Sequence, residues 1–166
     1  MRVVGVAEKQ TAKVQLAIHF RSDAGEEFVL LTALFAIRVV AQLVQYAGHV
    51  RFLPPFEVWQ GSGLDYPVLL VSQVLILIGM VWGTVAVSRG THPRRRVGLW
   101  LIGLGAVYFG SMCARLVLGL TVLAHVSWFA KPLPALFHMV LAGYLLCLGH
   151  YHFQIGGRLA KRVTAE

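Results

Sequence analysis

The chain has 166 residues, of which 57% are hydrophobic and only 13% are charged. Soluble domains carry roughly 25% charged residues, so this composition excludes an ordinary soluble domain and predicts one integral membrane domain. The net charge is +8, but most basic residues flank apolar runs, as is typical of membrane proteins. Because the only dense basic run, Arg94 to Arg96, lies in a short loop, we expect no nucleic-acid binding.

Four apolar runs are long enough to cross a bilayer, whose core requires about 20 helical residues. They cover residues 28–48, 67–88, 97–123 and 133–153. We therefore predict an all-α membrane protein, with a four-transmembrane-helix bundle over residues 28–154. Residues 1–27 form an N-terminal extension and residues 155–166 a basic tail. The segment Asp23 to Glu26 resembles a capping box that would start the first span, and Asp65 is a candidate N-cap of the second.

The basic residues outside the spans lie mostly on one side of the predicted membrane. That side carries Arg2, Lys9, Lys13, Arg21, Arg89, Arg94, Arg95, Arg96, Arg158, Lys161 and Arg162. The other side carries only Arg51 and Lys131. The positive-inside rule then predicts that both termini are cytoplasmic. We expect a multi-pass protein of the bacterial inner (plasma) membrane, with the bilayer as its main partner.

The first outer loop, residues 49–65, is long and partly apolar. Pro54 and Pro55 can begin a short helix, and the glycines Gly61 and Gly63 can end it. Apolar residues such as Trp59 suit a segment that lies in the membrane interface. The pattern therefore predicts a short interfacial helix that folds over the bundle.

Several polar residues fall inside the predicted spans, where such groups are costly and are functional candidates by default. Arg38, Gln42 and Gln45 share one face of the first span. Further polar residues in the other spans are Gln73, Tyr108, Arg115 and His138. Arg38 lies near the midplane. The residues within roughly 5–15 Å of the outer boundary, at the helical rise per residue, are Gln42, Gln45, Gln73, Arg115 and His138. We therefore predict a pocket in the outer half, above an inner half that is apolar and packed at Gly79 and Gly83.

The spans contain two arginines, Arg38 and Arg115, and no acidic residue. An arginine stays protonated, so each needs an anion, carbonyl groups or water nearby. Glu57 in the outer loop is the best partner that the chain supplies. Trp59 lies beside it in the same loop, which would cover the pocket. The alternative is a lipid phosphate, a carboxylate or a quinone carbonyl. We therefore expect a small membrane protein that binds a polar or anionic, lipid-like ligand.

Other interpretations of the same residues stay open. The stripe of Arg38, Gln42 and Gln45 can join helices without binding anything, and Arg115 can reach the headgroups along its own stem. The chain can instead be an accessory subunit of a larger membrane complex, or a homo-oligomer, with the stripe facing a partner. It can also be a membrane enzyme that uses His138 as acid or base on a lipid or quinone.

The sequence requires no cofactor. A haem would need two facing histidines, and the only conceivable pair is His138 with His49. Cys113 and Cys147 form no CxxC pair, and we expect no metal site.

Overall fold

The computed structural model of the chain describes residues 2–48, 50–61, 63–90 and 93–163, with side chains between residues 25 and 156. Within these ranges it contains helices and no strand. The helices are α1 (Arg2–Gly48), α2 (Phe56–Trp59), α3 (Tyr66–Ser88), α4 (Arg95–Leu120) and α5 (Pro132–Val163). Four segments are long and apolar enough to cross a membrane, namely Gly25–Gly48, Tyr66–Ser88, Arg95–Leu120 and Pro132–Gly156.

Helix α1 does not start at the capping box that the sequence indicated. It begins at Arg2 and passes without a break through residues 23–26. Residues 2–24 contain no proline, and a single glycine such as Gly25 costs a helix only about 1 kcal/mol. The apolar span of α1 is thus the second half of a longer helix.

The remaining helix bounds differ from the apolar runs by a few residues. Asp65 takes the N-cap position of α3, with Pro67 in the first turn, but its side chain forms no capping hydrogen bond. Helix α4 ends at Leu120, whereas the apolar run continues to residue 123. Gly119, in the last turn of α4, packs against the carbonyl oxygen of Phe129 in the following loop. Helix α5 continues past the apolar run to Val163.

The spans form two helical hairpins. Helices α1 and α3 pack together as the first hairpin, and α4 packs along α5 as the second. Contacts between α1 and α5 join the hairpins, and α2 contacts both of these helices. We call the end that carries the connections 49–65 and 121–131 the loop end, and the other the opposite end. The bundle is therefore organised around α1 and α5.

Glycines allow α4 and α5 to approach at backbone distance. A Cβ atom on Gly98 would lie 2.5 Å from the backbone nitrogen of Phe153 and 2.8 Å from the carbonyl oxygen of Gly149. Such closeness is typical of helix pairs in membranes, where association depends on packing. In α3, only one of the two glycines predicted to pack closely does so. Gly83 packs against the hydroxyl of Tyr144, but a Cβ atom on Gly79 would meet nothing within 4 Å.

The sequence predicted an apolar interior at the opposite end, but the structure contains a hydrogen-bond network there. The Tyr144 hydroxyl donates a hydrogen bond to the carbonyl oxygen of Met80 (2.6 Å) and lies 3.3 Å from the Thr84 hydroxyl. The Thr84 hydroxyl in turn lies 3.2 Å from that of Thr32. This network links α1, α3 and α5 beside a core that includes Phe28. The prediction failed because threonine and tyrosine were counted with their apolar neighbours.

Candidate functional site

The polar residues of the spans are buried inside the bundle near its loop end. Relative exposure is 6% for Arg38, 0% for Gln42, 5% for Gln45, 3% for Gln73 and 5% for Arg115. Since helices α3 and α4 bury few residues of their spans, the burial of their polar residues is selective. The stripe on α1 consequently faces the interior of this chain.

Gln42 and Gln73 form an amide pair between α1 and α3. The Gln73 Nε2 group donates a hydrogen bond of 3.1 Å to Gln42 Oε1. Each glutamine has one further polar atom, Gln42 Nε2 and Gln73 Oε1, that is buried without a hydrogen-bond partner. The pair thus joins the helices of the first hairpin but leaves two of its four polar side-chain atoms without a partner.

Gln45 has a local role at the end of α1. Its Oε1 atom accepts a hydrogen bond of 2.9 Å from the backbone nitrogen of Val50. This bond holds the chain where it leaves the helix. The structure therefore separates Gln45 from the other two members of the stripe.

The two arginines contact aromatic rings rather than carboxylates. The Arg38 guanidinium carbon lies 5.4 Å from the centre of the Phe137 ring, and that of Arg115 lies 4.0 Å from the Trp128 ring. Arg115 Nη2 also donates a hydrogen bond of 2.8 Å to the Trp128 carbonyl oxygen. The Nε atoms of both arginines are buried without a partner. Cation–π contacts contribute about 0.5–2 kcal/mol each, whereas burying an ion costs several kcal/mol.

Glu57, the predicted partner of these arginines, is exposed. Among the described residues it forms no ion pair with either guanidinium group. The reason is geometric: Glu57 lies on the solvent-facing side of the four-residue helix α2, whose buried residue is Trp59. The two positive charges are therefore not neutralised by any described acidic side chain.

His138 and Tyr108 form a hydrogen-bonded pair between α4 and α5. The Tyr108 hydroxyl lies 2.6 Å from His138 Nδ1. Electrostatic interactions link both residues with Arg38 and Arg115, and Arg38 also with Tyr66. We call the set Arg38, Gln42, Tyr66, Gln73, Tyr108, Arg115 and His138 the polar cluster. It contains side chains from all four spans.

Two members of the polar cluster were not among the predicted site residues. The sequence analysis did note Tyr108 as a polar residue of the spans, and it lies seven residues before Arg115 and hence on the same helix face, but it was not assigned to the site. Tyr66 carried no such signal, since it precedes the second apolar run. Its hydroxyl is buried without a hydrogen-bond partner.

The first loop covers the polar cluster from the loop end. We call its residues 50–61 the lid. Trp59 is buried, stacks on Phe137 with a centroid distance of 6.3 Å, and donates a hydrogen bond of 2.9 Å to the Pro54 carbonyl oxygen. Lys131 Nζ donates to the Gln60 carbonyl oxygen at 3.1 Å. The lid thus rests on the start of α5, where Trp59 stacks on Phe137, the ring that Arg38 also contacts.

At Gly61 the lid comes close to the start of α5. A Cβ atom there would lie 2.6 Å from Cβ of Pro134 and 3.4 Å from Nη2 of Arg115. The lid therefore passes directly beside one of the two arginines. Only a glycine fits at this point.

The polar cluster does not line the open grooves that the structure contains on α1 and α3. Both grooves lie between these helices toward the opposite end, and they share Val29, Ala33, Thr84 and Val85 in their walls.

The structure describes only some of the histidines and cysteines that were considered for a haem or a metal. His49 lies outside the described residues, so the pair with His138 has no structural description. No group of three or more His, Cys, Asp or Glu side chains suitable for a metal occurs among the residues described. Cys113 and Cys147 are both free.

No protein-family model, curated protein or solved structure matches this chain. The chemistry of the polar cluster is therefore the basis for its functional interpretation.

Proposed function

We propose that this protein binds a lipid-like molecule with a polar or anionic headgroup, of the lipid or quinone type, at the polar cluster. The observation that carries the proposal is a set of buried polar atoms without partners. They are Arg38 Nε, Gln42 Nε2, Tyr66 Oη, Gln73 Oε1 and Arg115 Nε. Leaving such a group unsatisfied costs about 1–3 kcal/mol, and more when it is charged. A bound headgroup would repay that cost.

The lid provides a route for this ligand. It is held by the contacts of Trp59, by one hydrogen bond from Lys131 and by the close approach of Gly61 to Pro134. Displacing residues 50–61 would expose Phe137 and the guanidinium groups without separating the spans. We propose that Trp59 and Glu57 stand at this entrance, with Glu57 facing solvent.

The orientation that accompanies this function places both termini in the cytoplasm of a bacterium, with the loop end facing outward from the inner membrane. The asymmetry of basic residues supports it. Phe52, which is 85% exposed, supports a lid that lies in the membrane interface. Reporter fusions at the C-terminus and after Val126 test the orientation: a cytoplasmic reporter should be active at the C-terminus only.

Native mass spectrometry of gently extracted protein tests the binding proposal. The wild-type protein should carry a lipid or quinone, and Arg115→Leu should lose it while still inserting into membranes. Arg51→Leu is the matched control, because Arg51 also lies on the loop-end side but is exposed. Retention of the molecule by Arg115→Leu at the wild-type level would refute the proposal.

A role as an accessory subunit is the second candidate. The buried stripe of α1 cannot meet a partner helix, so this role would use lipid-facing surfaces such as those of Trp82 and Trp100, which are 75% and 81% exposed. Native gel electrophoresis of mild extracts distinguishes the two functions, since a subunit would migrate in a larger assembly.

A further inference from the structure

The unpartnered atoms of the polar cluster are mostly hydrogen-bond donors. Arg38 Nε, Arg115 Nε and Gln42 Nε2 can only donate, whereas Gln73 Oε1 can only accept and the Tyr66 hydroxyl can do either. If the nitrogen and oxygen atoms of both side-chain amides in the Gln42–Gln73 pair changed places, one donor and one acceptor would still have no partner. A ligand that satisfies this cluster therefore presents chiefly acceptor atoms.

The charge of the cluster points the same way. Arg38 and Arg115 carry two permanent positive charges, and neither has a described carboxylate partner. A quinone carbonyl accepts hydrogen bonds but brings no charge. A phosphate or carboxylate accepts the same hydrogen bonds and also neutralises the guanidinium groups, to which such oxyanions bind with charge-assisted bonds.

The two arginines belong to different hairpins. Arg38 lies on α1, beside Gln42 one turn further along the same helix face, whereas Arg115 lies on α4. Helices α1 and α4 share no extended interface within the described residues. The Tyr108–His138 pair interacts electrostatically with both arginines, so both guanidinium groups lie near this pair. An anion held by both arginines would link the hairpins at the loop end.

We infer that the ligand of the polar cluster is an oxyanion, the phosphate or carboxylate headgroup of a lipid-like molecule, and that it bridges Arg38 of the first hairpin and Arg115 of the second. This inference rests on the proposed function and narrows it to one class of headgroup. It also assigns the ligand a structural effect, because the bridge stabilises the contact between the hairpins.

Competition among headgroups tests the inference. Delipidated protein in detergent is mixed with equal amounts of phosphatidylglycerol, oleic acid, diacylglycerol and ubiquinone, and bound molecules are identified by native mass spectrometry. At least one of the two anionic probes should be retained about tenfold or more above both neutral probes, which corresponds to about 1.4 kcal/mol. The comparison of phosphatidylglycerol with oleic acid distinguishes a phosphate from a carboxylate. Preferential retention of ubiquinone or diacylglycerol would overturn the inference while leaving the proposed function intact, and retention of none would overturn both.

A substitution that supplies an internal acid gives a second, independent test. Gln42→Glu keeps the oxygen that accepts the hydrogen bond from Gln73 Nε2 and adds a negative charge four residues after Arg38, where side chains meet on a helix. This variant should retain about tenfold less anionic lipid than the wild type and should unfold at a higher temperature when delipidated.

Gln45→Glu is the matched control for that variant. It introduces the same chemical change one helical turn beyond Gln42, and about 10 Å along α1 from Arg38 at the helical rise per residue. Its retention of anionic lipid should stay within about twofold of the wild type. Equal retention of anionic lipid by Gln42→Glu and the wild type would overturn the inference, provided that the melting temperature shows a folded protein.

If Gln42→Glu does not fold, Arg38→Met provides the remaining measurement. This variant removes one unneutralised buried charge, so the delipidated protein should melt at a higher temperature than the delipidated wild type. Addition of phosphatidylglycerol or oleic acid should raise the melting temperature of the wild type and leave that of Arg38→Met unchanged. Equal stabilisation of both proteins by the anionic probes would contradict the bridge.

Discussion

The crossing of α4 and α5 allows a paired substitution test on a single helix. A Cβ atom on Gly98 would meet three backbone atoms, the nitrogen and Cα of Phe153 and the carbonyl oxygen of Gly149, at 2.5–2.9 Å. Backbone atoms within two helices cannot move aside individually, so the helices themselves must separate. The closest of these distances is about 1 Å shorter than ordinary van der Waals contact. A Cβ atom on Gly103, one and a half turns along α4, would meet nothing within 4 Å.

Gly98→Ala and Gly103→Ala should therefore change stability in opposite directions. Overpacking typically costs 1–3 kcal/mol, and the gain in helix propensity from glycine to alanine is about 1 kcal/mol. We expect Gly98→Ala to lower the free energy of unfolding by about 2 kcal/mol, and Gly103→Ala to raise it by up to about 1 kcal/mol. The measurement is unfolding in mixed micelles with increasing dodecyl sulfate, followed by circular dichroism. Changes of the same sign and size in both variants would refute the backbone-contact interpretation of this interface.

Three further substitutions test other contacts in the bundle. Tyr144→Phe removes the hydroxyl that donates to Met80 at 2.6 Å and should lower the free energy of unfolding by about 0.5–1 kcal/mol; no loss in the same micelle assay would contradict this contact. Gln42→Leu should destabilise the protein by about 1–3 kcal/mol, because it leaves Gln73 Nε2 unpaired, and the double variant with Gln73→Leu should be more stable than either single variant. Trp59→Ala removes the stacking on Phe137 and should make the lid cleavable at Arg51 by trypsin at least several times faster, as gel electrophoresis would show; an unchanged rate would mean that Trp59 does not hold the lid.

The four segments that are long and apolar enough to cross a membrane were readable from the sequence, because the length of an apolar run is itself a physical requirement of the bilayer. The start of α1 was not readable. A capping-box pattern at residues 23–26 carries weight only where the preceding chain leaves the helix, and here the helix is already formed. The packing of α4 against α5 was also missed, because glycines look alike in a sequence until the facing backbone is known.

The polar cluster was predicted in large part, for a different reason. A charged or amide side chain within an apolar span almost always faces the interior of the bundle. The chemistry of these side chains alone therefore predicted the interior position of four residues, Arg38, Gln42, Gln73 and Arg115. The side chains that accompany them were harder to find. Tyr66 and Phe137 contribute through aromatic rings and a hydroxyl, and such groups suit a lipid-facing position equally well.

The arrangement of the hairpins implies that the chain can be split into two fragments, each of which contains one complete hairpin. Helices α4 and α5 are consecutive and form close backbone contacts with each other, and α1 and α3 are joined by the side-chain hydrogen bond of the Gln42–Gln73 pair. Residues 89–94 join the two hairpins in the chain, and the contacts between α1 and α5 hold the hairpins together. Two separately expressed fragments, 1–90 and 93–166, should consequently insert on their own and reassociate in the same membrane.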